Sequence, residues 1–416
     1  MRAIISVANR DGLVKLAREL KSHDVDLFST SGTLAALSVE GIEAHQVSEL
    51  TNFPEILDGR VKTLHPAILG GVLARRNLPS HEEELRAHNI GTIDIVAVNL
   101  YPFAETVARQ GATLTEALEQ IDIGGVTLVR AAAKNFQDVI VLVRPQDYVS
   151  VLQEWREQGE VSIETRRYLA AVAFQHTASY DTTIAEYLRA GSGDYFPEQL
   201  TLPLERVQTL RYGENPHQQA AFYRWSDTSL TPTLATVADA EVLHGKELSF
   251  NNLLDLDAAL AAAQSFTAPT VAIIKHTNPC GLACDDSLVE AYKRAHAGDP
   301  ISAYGGIIGC NRPLDEGTAQ EISQLFYEAI IAPEFTPEAL TILRKKKNIR
   351  LLATHAAIEP KGINTQMLHV GRPDVRSVSG GLLIQTPDAV GEREIEYSVV
   401  TDREPTLEEV TNLMFA

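Results

Sequence analysis

The chain has 416 residues and a formal net charge of −19, with 44% apolar and 22% charged residues. That length exceeds one ordinary hydrophobic core and implies two or more domains. The composition is that of a soluble globular protein, and the acidity argues against a nucleic-acid partner, since binding a phosphate backbone needs a basic face. Three cysteines supply no disulfide framework and point to a reducing compartment. No basic and apolar leader opens the chain and no apolar run approaches bilayer thickness, so the sequence reads as cytoplasmic and away from membranes. An acidic protein that binds a small phosphorylated ligand has to concentrate its cations locally. Arg and Lys clustered beside Gly, Ser or Thr are therefore informative here.

Residues 3–7 (Ala-Ile-Ile-Ser-Val) read as a short buried strand. Asp11-Gly12 then opens a helix with apolar spacing at Leu13, Leu16, Ala17 and Leu20. Val25–Phe28 is the next strand; it ends in Ser29-Thr30-Ser31-Gly32-Thr33, followed by a helix from Leu34 to Val39. Strand, Ser/Thr/Gly turn and helix is the arrangement that points free backbone N–H groups at an anion, although the same residue types also serve as an ordinary N-cap. Next comes Gly59-Arg60-Val61-Lys62-Thr63-Leu64-His65-Pro66, with two cations, a hydroxyl, an imidazole and a closing proline, none of which helps bury a core. The N-terminal half is expected to fold around one anionic small-molecule site with Lys62 near its centre. Gly70–Ala74 and Asp94–Val98 read as strands, Thr113–Gln120 and Gly125–Asn135 as helices, and Val139–Val143 as a strand. The alternation implies a mostly parallel sheet covered on both faces, with ligands beyond the carboxyl ends of its strands. Thr30, Asn99 and Tyr101 fall at or just past such ends. The runs Asn99-Leu100-Tyr101-Pro102-Phe103 and Ile121-Asp122-Ile123-Gly124-Gly125 can face the same cleft.

Two long helices follow, Gln146–Gln158 and Ile163–Leu188. Ala190–Pro197, with two glycines, a serine and a proline, breaks the periodicity, and the domain boundary is expected there, giving domains 1–195 and 196–416. The second part opens with Leu210-Arg211-Tyr212-Gly213-Glu214-Asn215-Pro216-His217-Gln218. A strand from Thr270 to Ile274 runs into Lys275-His276-Thr277-Asn278-Pro279-Cys280-Gly281, and Asp299–Gly306 carries Tyr304 and Gly305. The basic run Arg344–Lys347 reads as a solvated helix end that complements the dipole. The chain stops at Leu413-Met414-Phe415-Ala416, just after a helix start at Pro405–Glu409, and this apolar, uncapped end reads as a truncation.

Lys62 beside Thr63 and His65 is the first candidate for chemistry, because a lysine at an anionic substrate can stabilise an oxyanion; the plainer reading is a surface lysine. Asp122, between two isoleucines and before two glycines, is either a cap for the following helix or a general base whose pKa is raised by desolvation. Lys134 ends that helix, where a cation complements the dipole or reaches a phosphate or a proton. Lys275-His276 pairs a base with a cation, which suits proton removal from an amine nucleophile; a strand-end histidine is otherwise often half-buried and hydrogen-bonded. His276, Pro279-Cys280 and Cys284 approach the zinc deaminase pattern of His-x-Glu and Pro-Cys-x-x-Cys. The cysteines are one residue too far apart, and Asn278 stands where the Glu is needed. His244 and Glu247 also miss the spacing, so no metal is expected.

In their order and spacing these runs resemble the bifunctional purine-biosynthesis family PurH, which joins an IMP cyclohydrolase to an AICAR transformylase, over the whole length of the chain. The resemblance implies an α/β fold. A methylglyoxal-synthase-like parallel sheet with helices on both faces would be followed by a cytidine-deaminase-like α/β transformylase domain without zinc, incomplete at its C-terminus. It implies the last two steps of de novo purine synthesis, with 10-formyltetrahydrofolate as co-substrate, AICAR, formyl-AICAR and IMP as nucleotides, and a homodimer. Ser6, Arg10, Thr30, Gly32 and Thr33 would meet the nucleotide phosphate; Arg10 stands where the family often has Lys, and Ser31 where it often has Gly. Arg60, Lys62, Thr63, Asn99, Tyr101, Asp122, Gly124, Gly125 and Lys134 would line base and ribose. Within that group Lys62 would face the developing oxyanion, Asp122 would take a proton from the carboxamide, Lys134 would donate one and Tyr101 would orient the substrate. In the second domain Arg211 and Tyr212 would hold the AICAR phosphate, Lys275 and His276 would act on the attacking amine, and Tyr304, Gly305 and Glu328 would line the AICAR and folate sites. Family members continue with a Lys-Ser-Asn-Ala run and a late catalytic His, and they assemble the transformylase site across a dimer interface. A competent cyclohydrolase and an impaired or absent transformylase are therefore expected. The rival of a different class is a nucleotide-binding regulatory module; Lys62, Asp122 and Lys134 argue against it, because a pure binder needs no acid–base pair.

Overall fold

The computed structural model describes residues 1–109, 111–190, 192, 194, 196–226, 235–356, 373–386 and 398–415. Gly191, Gly193 and Tyr195 of the expected boundary, and Ala416, lie outside the described residues. The chain divides into two compact units, the first spanning Met1–Pro203 and the second beginning at Leu204.

The apolar run at the start of the chain becomes β1 (Arg2–Val7), with Ala3, Ile4 and Ile5 fully buried. It is the middle of a five-stranded sheet in the order β3 (His45–Gln46), β2 (Asp26–Ser29), β1, β4 (Ile95–Asn99), β5 (Ile140–Leu142). Every pairing is parallel. All five residues of β4 are buried, as a strand covered on both faces requires. The chain runs outward from β1 to β3, then crosses back to β4, so the strand order reverses between β1 and β4. That is where an open α/β sheet leaves a crevice beyond its carboxyl ends. Register puts Ile5 opposite Ser29 and Val7 opposite Asn99, so the residues following β1, β2 and β4 share one edge.

Gly70–Ala74 is not a strand. Pro66–Leu73 forms a helix, with Pro66 in its first turn and His65 Nδ1 accepting from the Ala67 amide at 3.1 Å. The glycine there serves close packing: a Cβ on Gly71 would overlap the Gly91 carbonyl and crowd Ile93. The helix Gly124–Lys134 and the long helix Ile163–Arg189 form as the periodicity predicts.

The second unit opens with a hairpin of β6 (Leu204–Leu210) and β7 (Ala220–Trp225). Its main sheet is mixed and six-stranded, in the order β10 (Asn278–Cys284), β9 (Thr270–Lys275), β11 (Ile307–Cys310), β12 (Ala329–Ala332), β13 (Arg350–Ala353), β8 (Glu241–His244). Alternation along β9 serves two cores. Val271 and Ile273 join the helix Leu288–Gly298 on one face, and Ala272 and Ile274 join Phe250–Gln264 on the other. A further hairpin joins β14 (Asp374–Val378) to β15 (Gly381–Gln385). The basic run after the helix Pro337–Leu343 is only partly a solvated end. Lys346 turns inward to donate to the Leu325 carbonyl, and burial lowers its pKa. Among the described residues no helix is long and apolar enough to cross a membrane.

Candidate active site

At the carboxyl edge of the first sheet the helix Ser31–Val39 begins directly after β2, with Thr30 as an extended N-cap whose side chain makes no cap bond. The Thr30 hydroxyl instead pairs with Ser6 Oγ at 2.9 Å, and Thr33 Oγ1 accepts from the Val7 amide at 3.0 Å. The N–H groups of the first helical turn, with the positive end of the helix dipole, are left for an anion. Arg10 Nη2 donates to the Gly32 carbonyl at 3.1 Å, which holds a cation over the same turn. The structure thus brings Ser6, Arg10, Thr30, Gly32 and Thr33 together. It adds an acid that the sequence did not suggest: Glu55 accepts from Ser31 Oγ at 3.1 Å.

Asn99 spans the crevice between β1 and β4. Its Oδ1 accepts from the amides of Ala8 at 2.6 Å and Asn9 at 2.9 Å, while its Nδ2 donates to the Asn9 carbonyl at 2.9 Å. Tyr101, two residues on and 43% exposed, stands at the mouth.

The second half of the cleft joins Lys62-Thr63 to the start of the helix Gly124–Lys134. Thr63 is 2% exposed, yet its hydroxyl has no hydrogen-bond partner among the described residues. It faces the bare Cα of Gly124, where a Cβ would stand 2.6 Å away. An unsatisfied buried hydroxyl costs about 1–3 kcal/mol, so a bound group that completes it gains that much. Asp122 Oδ1 accepts from the Gly125 amide at 2.7 Å, and a Cβ on Gly125 would overlap the carboxylate. Burial pushes the pKa of Asp122 up; the Gly125 amide, then the positive charge of Lys62, pull part of that back. Asp122, one residue before the N-cap Ile123, thus holds the first turn of the helix and is also a partly desolvated carboxylate within the field of a lysine.

Arg60 pairs with Glu119, at the end of the short helix Leu114–Glu119 that precedes Asp122. One member of the expected group stands apart from this cluster. Lys134 is at the far end of its helix, ten residues or about 15 Å along the axis from Gly124. There it lines an apolar groove of about 620 Å³ with Arg130, Arg167, Phe136 and Phe174. Within one chain Lys134 does not meet Asp122.

In the second unit Lys275 closes β9 and donates to the Tyr304 carbonyl at 3.0 Å. Gly305, at φ 77°, donates to the Phe326 carbonyl at 2.8 Å, and the Tyr304 and Phe326 rings lie 5.5 Å apart. Glu328 pairs with Arg350 at 2.6 Å. These residues gather at the edge where β9 ends and β11 and β12 begin. Arg211 and Tyr212, just past β6, pair with each other instead, guanidinium over ring at 5.7 Å. His276 and Thr277 form the two-residue turn between β9 and β10, both left-handed at φ 54° and 60°. Asp255, on the helix Phe250–Gln264, holds this strained turn by accepting from the His276 amide at 3.3 Å and the Thr277 amide at 2.7 Å. Nothing in the sequence singled out Asp255. A β-branched residue at positive φ costs on the order of 1–3 kcal/mol. Thr277→Gly is accordingly expected to raise the unfolding free energy by about 1 kcal/mol in denaturant titration, after the extra chain entropy of glycine is subtracted.

The zinc-like residues stay apart. Cys280 and Cys284 are separated by roughly 13 Å along β10, and Cys284 Sγ lies 3.0 Å from the Thr270 hydroxyl. Among the described residues no group of three or more His, Cys, Asp or Glu is placed to hold a metal.

A family model described as AICARFT/IMPCHase bienzyme matches residues 132–416, and one described as MGS-like domain matches residues 12–127. The chain is similar to proteins named bifunctional purine biosynthesis protein PurH. That of Acetivibrio thermocellus is 47% identical over 100% of this chain and 79% of its own length. That of Anoxybacillus flavithermus is 48% identical over the same shares. One from Listeria monocytogenes is 49% identical over 99% of this chain and 78% of its own. An MGS-like first part on a parallel sheet, a bienzyme match over most of the remainder and near-half identity from end to end point one way: the chain belongs to the AICARFT/IMPCHase bienzyme family.

Proposed function

We propose that residues 1–195 close formyl-AICAR to IMP with loss of water, and that residues 196–416 belong to the unit that transfers the formyl group from 10-formyltetrahydrofolate to AICAR. The observation that carries the first reading is the buried, unpartnered Thr63 hydroxyl between Lys62 and the Asp122–Gly125 turn. It marks a place where a polar ligand completes the protein. The substrate phosphate sits on the first turn of Ser31–Val39 beside Arg10, and the base reaches across the crevice, past Asn99 and Tyr101, to Lys62. The carboxamide nitrogen attacks the formyl carbon. Asp122 takes the nitrogen's proton while Lys62 balances the charge that develops on the formyl oxygen, and Tyr101 orients the ring; Asp122 then returns that proton to the oxygen, which leaves as water together with the proton of the formamido nitrogen as the C=N bond forms. Most of the gain is positional, because the attack is intramolecular. Lys134 has no part in this reading of a single chain.

In the second unit His276 takes the proton of the attacking amine and Lys275 holds charge beside it, with Tyr304, Gly305 and Glu328 along the same edge. The resemblance also supports a homodimer and a cytoplasmic location.

The test is conversion of purified formyl-AICAR to IMP, followed by absorbance, with formyl transfer to AICAR assayed in parallel on a polypeptide of these 416 residues. Cyclisation with little or no formyl transfer is expected. IMP binding without cyclisation would instead favour a regulatory nucleotide module.

A further inference from the structure

The long helix Ile163–Arg189 sends one side chain into the first site. The Tyr180 hydroxyl donates to the Gln120 carbonyl at 2.6 Å and accepts from the Asp122 amide at 2.8 Å. One phenol thus holds both ends of the segment that leads into Asp122, from 58 residues away in sequence. The far side of the same turn is closed by Asp122 Oδ1 on the Gly125 amide. The Tyr180 ring is itself set edge-on to Phe103 at 6.3 Å, and Phe103 is 2% exposed and two residues beyond Tyr101. Tyr180 therefore ties together two of the separate runs that build the cleft, the one carrying Tyr101 and the one carrying Asp122.

We infer that Tyr180 is a positioning residue of the cyclohydrolase site, fixing the direction of the Asp122 carboxylate without touching substrate. The inference rests on the reading of Asp122 as the base. The bond to the Gln120 carbonyl needs the neutral phenol, since a phenolate could not donate to a carbonyl. Burial, with Asp122, Asp181 and Tyr101 nearby, raises the Tyr180 pKa to about 12, so the proton stays in place across the working range. The groups that face Asp122 are Lys62 from the preceding loop, Tyr180 from the long helix and the Gly125 amide of its own turn.

Tyr180→Phe keeps the ring against Phe103 and removes both hydrogen bonds. With the turn loosened, kcat for cyclisation is expected to fall about tenfold, because a small misplacement of a reacting group is costly, while KM changes by less than about threefold. Water then reaches the carboxylate, so the acidic limb of the pH–kcat profile moves to lower pH, toward ordinary aspartate. A merely structural tyrosine would reduce the folded fraction, which scales the rate equally at every pH and leaves the limb in place. An unmoved limb, whether kcat is unchanged or falls only with the folded fraction measured by circular dichroism, overturns the inference. Hydrogen exchange of the Asp122 amide, expected to be faster in Tyr180→Phe by about tenfold or more, is read on the same proteins. If the unmodified protein fails to cyclise formyl-AICAR, the functional reading falls, and faster exchange still separates that failure from a failure of the positioning.

Discussion

Lys62→Ala is expected to slow closure of formyl-AICAR by about two to three orders of magnitude in kcat, the range found when one donor to a developing oxyanion is removed. KM should change far less, because in the proposed reading the phosphate is held elsewhere, at the start of the helix Ser31–Val39 beside Arg10, which donates to the Gly32 carbonyl. The variant also carries a signature in pH. Lys62 lowers the pKa of Asp122 in the intact protein, so without it the carboxylate is harder to ionise and the acidic limb of the remaining activity moves to higher pH. That direction is opposite to the one expected for Tyr180→Phe. A pH–kcat profile of both variants therefore separates loss of a charge from loss of a tether. A Lys62→Ala variant with native kcat and an unmoved limb would remove Lys62 from the chemistry.

The parts of this site that were legible in the sequence are those written in local chemistry. A strand running into Ser, Thr and Gly before a helix reads as an anion site because all its elements are consecutive, although the helix begins at Ser31 rather than at Leu34, with Ser31, Gly32 and Thr33 as its first turn and not a separate loop. Asp122 could be seen as either a cap or a base for the same reason; its bond to the Gly125 amide holds the helix start, and burial raises its pKa. Gly70–Ala74 failed because two glycines among apolar residues look extended, whereas the Gly71 position is fixed by a close approach to the Gly91 carbonyl that no local pattern records. Lys134 illustrates a different limit: the resemblance groups it with Asp122, whereas the helix between them, itself legible from periodicity, sets the two about 15 Å apart along its axis within one chain. Tyr180 and Asp255 were invisible for a third reason. A tyrosine in a long amphipathic helix reads as core, an aspartate in Leu254-Asp255-Leu256 reads as the solvent face, and only the contacts made across the fold give them work.

Asp122→Asn should lower kcat by about two to four orders of magnitude, the usual worth of a positioned general base, and it should do so without weakening the fold. In the intact protein only the ionised carboxylate accepts the proton, so kcat is expected to rise with pH through the raised pKa of Asp122, placing the acidic limb above the ordinary aspartate range. The same shift fixes the sign of the stability effect. A carboxyl group whose pKa is higher folded than unfolded binds more protons in the folded state between those two values, so folding stability falls as pH rises through that window. Asparagine is neutral throughout and escapes this loss, while its side-chain carbonyl still offers an acceptor to the Gly125 amide. Asp122→Asn should therefore be at least as stable as the unmodified protein above the window, with an advantage that shrinks as pH is lowered through it. Denaturant titrations of both proteins across the acidic range measure that difference directly. A variant that is inactive yet gains stability only above the window identifies a carboxylate kept under desolvation for its chemistry. A variant that loses stability at every pH identifies a carboxylate whose main work is the helix cap at Gly125.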